Sequence, residues 1–184
     1  MKEQKRSKEQ TMEELIRCSV RDVPDFPKPG ILFKDITPLL QQFEIFDTII
    51  SAFVKRYRDQ HIDVIAAIES RGFIFGAPLA RELKASFIPI RKKGKLPYDT
   101  VEKSYDLEYG TATIEVHNDA VEKGDRVLII DDLLATGGTA GAACHLMERL
   151  GGKVIECAFV IELLFLNGRK KMKDVPVHSL VKYE

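Results

Sequence analysis

Residues 127–139 read Val-Leu-Ile-Ile-Asp-Asp-Leu-Leu-Ala-Thr-Gly-Gly-Thr, and no other part of the chain is as informative about its architecture. Its first four residues, Val127 to Ile130, predict a short strand buried on both faces, as the strands of a parallel sheet are. Two acids then interrupt the apolar run, and a loop of small and hydroxyl-bearing residues follows. A turn of this kind from strand to helix leaves backbone N–H groups at the helix N-terminus, where an anion binds favourably. The stretch therefore predicts an anion site at the carboxyl end of a parallel strand.

The composition of the loop indicates which ligand it binds. Its two glycines, Gly137 and Gly138, allow an anion to approach the backbone, and its two threonines add hydroxyl donors. The acids Asp131 and Asp132 would repel a phosphate, but they can accept hydrogen bonds from the hydroxyls of a sugar. The chain has neither the P-loop pattern nor the Gly-x-Gly-x-x-Gly pattern of dinucleotide-binding folds. The stretch therefore predicts a site for a phosphorylated ribose.

The overall composition is typical of a soluble globular protein. The chain has 184 residues, 45% of them hydrophobic, and its 28 basic residues balance its 28 acidic residues. A chain without net charge has no global field to attract nucleic acid or an anionic membrane, so we expect neither as a partner. No apolar run reaches about 18 residues, and the first ten residues are polar, unlike a signal peptide. Together with three widely spaced cysteines, these features predict a cytoplasmic protein.

Short apolar runs alternate with helical patterns along most of the chain. The runs are rich in β-branched residues, and they are residues 64–68, 87–90, 127–130 and 154–161. The helical patterns are residues 46–59, 75–83 and 140–150. This alternation predicts an α/β fold with a doubly wound, mostly parallel sheet flanked by helices, whose ligands lie at the carboxyl ends of the strands.

The N-terminal part departs from this alternation. Residues 1–10 predict a flexible polar tail, and residues 11–20 predict a short amphipathic helix. Three prolines then exclude a regular helix, so residues 20–40 predict an N-terminal cap, or hood, in which residues 31–40 are extended or irregular. We expect residues 11–184 to form a single domain that includes this cap.

A second departure lies between residues 91 and 116. This segment begins with a basic, turn-forming stretch, and residues 111–116 then alternate like a strand. The pattern predicts a flexible β-ribbon that projects from the sheet and acts as a lid.

Two segments with basic residues are candidates for binding further phosphate groups. Residues 69–72, Glu-Ser-Arg-Gly, directly follow the first predicted strand, and a guanidinium beside exposed amides fits pyrophosphate oxygens. Residues 91–95, Arg-Lys-Lys-Gly-Lys, could provide cations that close around a departing pyrophosphate, Lys95 above all. The simpler interpretations of these segments are an arginine paired with an acid and a solvated charged loop.

Two further candidates have alternative interpretations that the residues alone leave open. Glu108 could be an exposed turn acid, or it could lie over the sugar and handle a proton or charge on the incoming group. An aromatic side chain in the cap, Phe26 or Phe33, could stack on a planar base, or both rings could pack into a small core of the cap.

Taken together, these segments resemble one family, the adenine phosphoribosyltransferases, which are type I phosphoribosyltransferases. The stretch at 127–139 resembles their signature for phosphoribosyl pyrophosphate (PRPP), which the whole superfamily shares. The other matching segments lie in the cap, after the first strand, along the ribbon and in the last predicted strand. They are residues 26–37, 69–73, 91–97, 104–110 and 157–163. The cap and the Leu-Glu-Tyr-Gly sequence that contains Glu108 point to adenine.

The resemblance implies how PRPP would be bound. The 5-phosphate would be held by five loop residues, which are Ala135, Thr136, Gly137, Gly138 and Thr139. Asp131 and Asp132 would hold the ribose hydroxyls. The pyrophosphate would be held by the basic segments, through Ser70, Arg71, Gly72, Arg91 and Lys95. The resemblance also implies a non-proline cis peptide near Ser70, a feature found at functional sites.

The resemblance also implies the contacts to the base. Phe33 would stack on adenine, and Leu32 and Lys34 would supply backbone contacts to its edge. Many members of the family carry arginine at the position of Lys34, and lysine cannot reproduce the fork of a guanidinium. Glu108 would lie near the base and the reacting carbon, and it would share the catalysis with Arg71 and Lys95.

The implied reaction is the transfer of a 5-phosphoribosyl group from PRPP to N9 of adenine, which gives AMP and pyrophosphate. Mg²⁺ is the implied cofactor, held mainly by PRPP oxygens and water without dedicated protein ligands, and the family implies a homodimer. One alternative is a 6-oxopurine phosphoribosyltransferase, but these enzymes usually lack such a cap. A second is a regulatory protein that senses PRPP or a purine, but such proteins typically carry an added DNA-binding domain.

Overall fold

The computed structural model describes residues 11–106 and 110–184. These residues form two compact units, which divide between Ile49 and Ile50. The tail predicted at residues 1–10 lies outside the described residues.

The first unit begins with α1, Met12–Ser19, where the sequence predicts a short amphipathic helix. Thr11 caps this helix, because its hydroxyl accepts a hydrogen bond from the Glu14 N–H while the Glu14 carboxylate accepts one from the Thr11 N–H. The exchange satisfies two N–H groups that have no partner within the helix. Ile16 is fully buried, which confirms the predicted apolar face.

The cap contains more regular structure than the sequence predicts. Its elements are β1 (Arg21–Val23), β2 (Phe33–Asp35) and α2 (Thr37–Leu40), and the two strands are antiparallel. The prediction that residues 31–40 are extended or irregular is therefore wrong for their second half. Pro38 lies in the first turn of α2, where a backbone N–H has no helical acceptor, so proline does not prevent the helix.

One helix, α3 (Phe43–Tyr57), begins in the first unit and ends in the second. The remaining elements are β3 (Val64–Ile68), α4 (Arg71–Leu83), β4 (Ser86–Lys92), β5 (Thr100–Asp106), β6 (Thr111–His117), β7 (Arg126–Leu134), α5 (Gly138–Arg149), β8 (Lys153–Leu163) and β9 (Val177–Tyr183). Two short 3-10 turns, Leu164–Leu166 and Gly168–Met172, connect β8 to β9. No helix in the described part of the chain is long and apolar enough to cross a membrane.

Seven strands form one sheet in the order β5-β6-β4-β3-β7-β8-β9. The five strands from β4 to β9 in this order are parallel, and β6 pairs antiparallel with β4. This arrangement confirms the predicted α/β fold with a mostly parallel sheet flanked by helices. β9 was not predicted, although its residues alternate between more and less buried positions.

Helices cover the two faces of the sheet. On one face, Gly76 of α4 lies against Ala67 and Ile130 so closely that a Cβ at position 76 would be 2.7 Å from the Ala67 Cβ. The neighbouring residues Ala66 and Ile129 point to the other face, where they belong to the core formed with α5. The central strands are therefore buried on both sides, as their apolar runs predict.

β7 continues beyond the point where the sequence predicts its end. The apolar run stops at Ile130, but the strand extends through both acids to Leu134. β8 continues to pair with β7 as far as Leu134, whereas the pairing of β3 with β7 ends at Ile130. The acids therefore lie on a strand, just past the end of its β3 neighbour.

The predicted ribbon consists of β5 and β6, which pair from Thr100 opposite His117 to Asp106 opposite Thr111. β6 joins the parallel sheet near Arg91 and Lys92 of β4, so the distal half of the ribbon extends past this junction. Its flexibility remains a prediction.

Candidate active site

The loop between β7 and α5 lines a cavity of about 80 Å³ at the N-terminus of α5. Gly137 has a left-handed backbone conformation, with φ of 77°, and α5 begins at the next residue. The lining includes all five residues that were predicted to hold the 5-phosphate, which are Ala135, Thr136, Gly137, Gly138 and Thr139. The first N–H groups of the helix and its dipole favour an anion in this position.

The loop is supported by Gly168, a residue that the sequence did not single out. A Cβ at Gly168 would lie 2.2 Å from the Ala135 carbonyl oxygen and 3.1 Å from the Gly137 nitrogen. In return, a Cβ at Gly137 would lie 2.1 Å from the Gly168 carbonyl oxygen. Two backbones therefore meet without space for a side chain on either one. The sequence offered only an Asn-Gly dipeptide as a signal.

The paired acids at the end of β7 have different surroundings. The Asp132 side chain is 3% exposed, and its Oδ2 lies 2.7 Å from Nε of Arg71. Asp131 accepts a hydrogen bond from the Asp132 N–H at 2.8 Å. Burial and the negative charge of Asp132 raise the pKa of Asp131 well above its ordinary value. Asp132 thus forms an ion pair with Arg71. The surroundings of Asp131 instead favour its protonated form, or a hydrogen bond from the hydroxyl of a ligand.

A second cavity, of about 270 Å³, is lined by residues after β3 and at the end of β7. They are Glu69, Ser70, Arg71, Lys92, Asp131 and Asp132. The peptide bond between Glu69 and Ser70 is cis, as the resemblance implied. Gly72 packs so closely on β7 that a Cβ there would lie 2.8 Å from the Ile130 carbonyl oxygen. The structure therefore brings Ser70, Arg71 and Gly72 to the paired acids.

Glu69 organises the basic side of this cavity, although no sequence pattern predicted a role for its side chain. Its side chain is 6% exposed, and its carboxylate lies 3.0 Å from Nε of Arg91 and 2.8 Å from Nζ of Lys95. The Lys92 N–H donates to the same group at 3.0 Å. Burial raises the pKa of Glu69, but these three hydrogen bonds outweigh burial and keep that pKa below its ordinary value. Arg91 and Lys95, two of the three predicted pyrophosphate cations, are therefore held beside a residue that lines the cavity.

A second buried acid fixes the backbone of the basic loop. Glu115 of β6 is 4% exposed and accepts hydrogen bonds from the N–H groups of Lys95 and Leu96, both at 2.9 Å. Burial raises the pKa of Glu115, but the loop N–H groups outweigh burial and keep that pKa below its ordinary value. Its neighbours Ile114 and Val116 are also buried. An acid between two apolar core residues was the sequence signal that could have identified it.

The residues predicted to contact the base lie in the first unit, on or next to β2. The Phe26 and Phe33 rings meet edge to face, with centroids 5.1 Å apart, so these two aromatic residues pack together in the cap. Leu32 is 48% exposed. The Lys34 side chain is largely buried, and its Nζ lies 2.6 Å from Asp22, its neighbour on β1. The ammonium of Lys34 thus pairs with an acid of the cap. The predicted contact of Lys34 to the edge of the base is made by its backbone, and that contact remains a prediction.

The predicted catalytic acid Glu108 lies outside the described residues. Across residues 11–106 and 110–184, no group of three His, Cys, Asp or Glu side chains is arranged to hold a metal ion. The carboxylates at the second cavity belong to Asp131, Asp132 and Glu69. These hard oxygen donors fit a Mg²⁺ ion that takes most of its ligands from a phosphorylated substrate and water.

Comparison with known proteins identifies relatives along nearly the whole chain. The sequence pattern of the phosphoribosyl transferase domain family matches residues 35–182. The adenine phosphoribosyltransferase of Flavobacterium johnsoniae is 57% identical over 164 residues, which cover 89% of this chain and 96% of that protein. The crystal structure of the adenine phosphoribosyltransferase from Thermoanaerobacter pseudethanolicus has a TM-score of 0.90 and 51% identity, covering 94% of this chain and 100% of that chain.

A more distant solved structure is a complex. The Saccharomyces cerevisiae adenine phosphoribosyltransferase, bound to adenine and D-2,5-dideoxy-2,5-imino-altritol 1,6-bisphosphate, has a TM-score of 0.87 at 39% identity, covering 92% of this chain and 98% of that chain. The matched family pattern includes every residue that lines the two cavities. This chain belongs to the phosphoribosyltransferase family and, within it, to the adenine phosphoribosyltransferases.

Proposed function

We propose that this protein transfers the 5-phosphoribosyl group of PRPP to N9 of adenine with Mg²⁺, releasing AMP and pyrophosphate. The observation that carries the proposal is that the two cavities share Asp131 in their linings. One cavity offers a helix N-terminus, and the other offers Arg71 and Lys92. A ligand with a phosphate at one end, a pyrophosphate at the other and a hydroxyl-bearing sugar between them matches this arrangement, and PRPP is such a ligand.

In the proposed reaction, the bond between C1 of the ribose and the pyrophosphate oxygen breaks, and the pyrophosphate leaves with the electron pair. N9 of adenine forms the new bond to C1 and gives up its proton. The protein must stabilise the charge on the leaving group, which Ser70, Arg71 and Gly72 would do through an arginine fork and backbone N–H groups. Arg91 and Lys95, which pair with Glu69 of the cavity lining, would add their charges.

Lys95 is suited to exchange its partner during this reaction. Its side chain is 49% exposed, whereas that of Glu69 is 6% exposed, so the lysine is the accessible member of the pair. A pyrophosphate group carries more negative charge than one carboxylate and would attract the ammonium away from Glu69. Glu69 would then hold Lys95 close to the cavity before PRPP binds.

Asp131 and Asp132 would contact the ribose hydroxyls, and their carboxylates also line the cavity that would take Mg²⁺. The ion, held by PRPP oxygens and water, would neutralise part of the pyrophosphate charge. Because the pKa of Asp131 is raised, a cation or a donor hydroxyl beside it would favour release of its proton.

The adenine site is supported by the resemblance of the cap and by the adenine bound to the yeast relative. Phe33 would stack on the base, and the backbones of Leu32 and Lys34 would read its edge. Glu108 would lie near N9 and stabilise or accept the proton that the base gives up. We also propose that the protein is cytoplasmic and that it forms a homodimer. Light scattering of the purified protein would test the homodimer.

The deciding experiment is an assay of the purified protein with PRPP, MgCl₂ and one of four bases, which are adenine, hypoxanthine, guanine and xanthine. We expect AMP and pyrophosphate to form from adenine, and we expect EDTA to stop their formation. Turnover of a 6-oxopurine without turnover of adenine would replace the proposal with the first alternative. Tight binding of PRPP without turnover of any base would favour the regulatory alternative.

A further inference from the structure

Tyr105, on the outer strand of the ribbon, contacts the loop at the start of α5. The Thr139 hydroxyl donates a hydrogen bond to the Tyr105 hydroxyl at 2.9 Å. The ring also lies against the first residue of the helix, because a Cβ at Gly138 would be 2.9 Å from Cδ2 of Tyr105. One side chain of the ribbon therefore meets two residues of the predicted 5-phosphate site.

The direction of this hydrogen bond matters for a phosphate. A hydroxyl has a single proton, and here Thr139 gives it to Tyr105. A phosphate needs donors, so Thr139 must turn its proton to the phosphate when that ligand binds. Its oxygen can then accept a hydrogen bond from the Tyr105 hydroxyl. The two hydroxyls would form a chain that ends on the phosphate, and each bond in such a chain strengthens the next.

The contact lies in the part of the ribbon that extends beyond the sheet. β6 pairs with β4 near Arg91 and Lys92, while Tyr105 lies opposite Ala112 in the distal half. α5 packs on β5, and its first turn is one point at which the main part of the fold contacts this half. A change in the hydrogen bonding of the Thr139 hydroxyl therefore alters a contact that Tyr105 makes from the ribbon.

We propose that Tyr105 is a positioning residue: a phosphate in the loop reverses the hydrogen bond between Thr139 and Tyr105 and thereby fixes the distal ribbon against α5. The inference rests on the proposed role of the loop as the 5-phosphate site. It requires neither pyrophosphate nor base, so ribose 5-phosphate alone is sufficient to fix the ribbon.

Hydrogen exchange of the purified full chain, with and without ribose 5-phosphate, tests this inference. In the unmodified protein, ribose 5-phosphate should slow exchange in the loop at 135–139 and in the ribbon at 100–106 and 111–117. Tyr105→Phe retains the ring and removes the hydroxyl, so it should retain protection of the loop and lose most protection of the ribbon. Ser104→Ala is the matched control, because it removes a ribbon hydroxyl that pairs with Thr113 instead, and it should behave like the unmodified protein.

Kinetics provide a second readout. Tyr105→Phe should raise KM for PRPP about fivefold, the effect of one neutral hydrogen bond, with KM for adenine unchanged. Combined with Thr139→Val, it should raise KM little further, because both substitutions break the same chain. Equal ribbon protection in Tyr105→Phe and the unmodified protein would overturn the inference. If ribose 5-phosphate does not protect the loop of the unmodified protein at all, the proposed function is itself wrong at this site.

Discussion

The ammonium of Lys95 lies 2.8 Å from Glu69, and its backbone N–H lies 2.9 Å from Glu115. Two buried acids thus hold the two ends of one residue. An unpaired buried carboxylate is costly, so each acid requires partners, and the basic loop supplies them. The position of the Lys95 ammonium beside the cavity that Glu69 lines is therefore a consequence of where two carboxylates are buried.

Lys95→Met tests whether this ammonium acts on the pyrophosphate. We expect kcat/KM for PRPP to fall about 10- to 100-fold, as loss of one hydrogen bond from a charged group predicts. Lys93→Met is the matched control on the same loop, because Lys93 is 61% exposed and pairs with exposed Glu102. Exposed pairs contribute little, so the control should change kcat/KM less than about twofold. Equal effects of the two substitutions would contradict a specific role of Lys95.

Gly168→Ala tests the support of the loop that we propose as the 5-phosphate site. The added methyl group would overlap the Ala135 carbonyl oxygen, so the loop must move, and we expect KM for PRPP to rise about tenfold or more. Gly141→Ala is the control, since its methyl group would meet the Lys171 carbonyl oxygen at 2.8 Å, away from the loop cavity. Both variants should lose about 1–3 kcal/mol of stability in urea unfolding, but the control should leave KM nearly unchanged.

At the scale of elements, the basic loop between β4 and β5 is held to β6 by the Glu115 side chain, in addition to a backbone hydrogen bond from the Lys93 N–H to the Thr113 carbonyl. Glu115→Gln retains one oxygen acceptor but removes the charge, so the loop N–H groups are held less firmly. We expect the free energy of unfolding to fall by about 1–2 kcal/mol and KM for pyrophosphate in the reverse reaction to rise. Glu102→Gln on β5 changes an exposed acid and should do neither. A loss of stability without a change in KM would show that Glu115 has a structural role alone.

At the scale of the whole molecule, buried acids also connect distant parts of the chain. Glu156 of β8 accepts hydrogen bonds from Arg56 at 2.7 Å and from Tyr57 at 2.6 Å, both at the end of α3. Glu162, near the end of β8, pairs with Arg169 and accepts a hydrogen bond from Ser179 of β9. For both acids, burial raises the pKa, but these partners outweigh burial and keep it below its ordinary value.

These pKa shifts predict a loss of stability in acid. Glu69, Glu115, Glu156 and Glu162 have lowered pKa values, and hydrogen bonds from Thr37 and Arg21 hold that of Asp35 at about 2. The folded state therefore binds fewer protons than the unfolded state below about pH 4.5. We expect the free energy of unfolding in urea to fall steadily from pH 5 to 3.

The variant Glu156→Gln tests this prediction, and Asp131 has the opposite effect on stability in acid. Glu156→Gln should be less stable than the unmodified protein at pH 7, and the difference should shrink toward pH 3 because protonation removes the same charge. Asp131 acts in the opposite direction, since its raised pKa makes the folded state hold a proton more tightly. Stability that rises between pH 5 and 3 would mean that Asp131 outweighs the other acids, contrary to our expectation.

Local patterns account for what the sequence predicted correctly. The apolar run before Asp131 and the glycines after it specify a strand, a turn and a helix start, because these depend on residues close together in the chain. The alternation of such units specified the parallel sheet. The helix at Thr37–Leu40 was missed because a proline in a first turn resembles a proline that breaks a helix. The extension of β7 was missed because pairing with β8, and not the apolar run, decides where that strand ends.

Local sequence patterns were enough to specify the sheet, the turn from β7 into α5, the paired acids and the family. The tertiary structure alone decided which groups support them. Lys95 meets Glu69 across 26 residues of chain, Thr139 meets Tyr105 across 34, and Gly168 reaches the loop from beyond β8. The physical reason is that a strand or turn follows from the preferences of neighbouring residues, whereas an ion pair, a shared proton or a contact between two backbones exists only after distant segments have packed together.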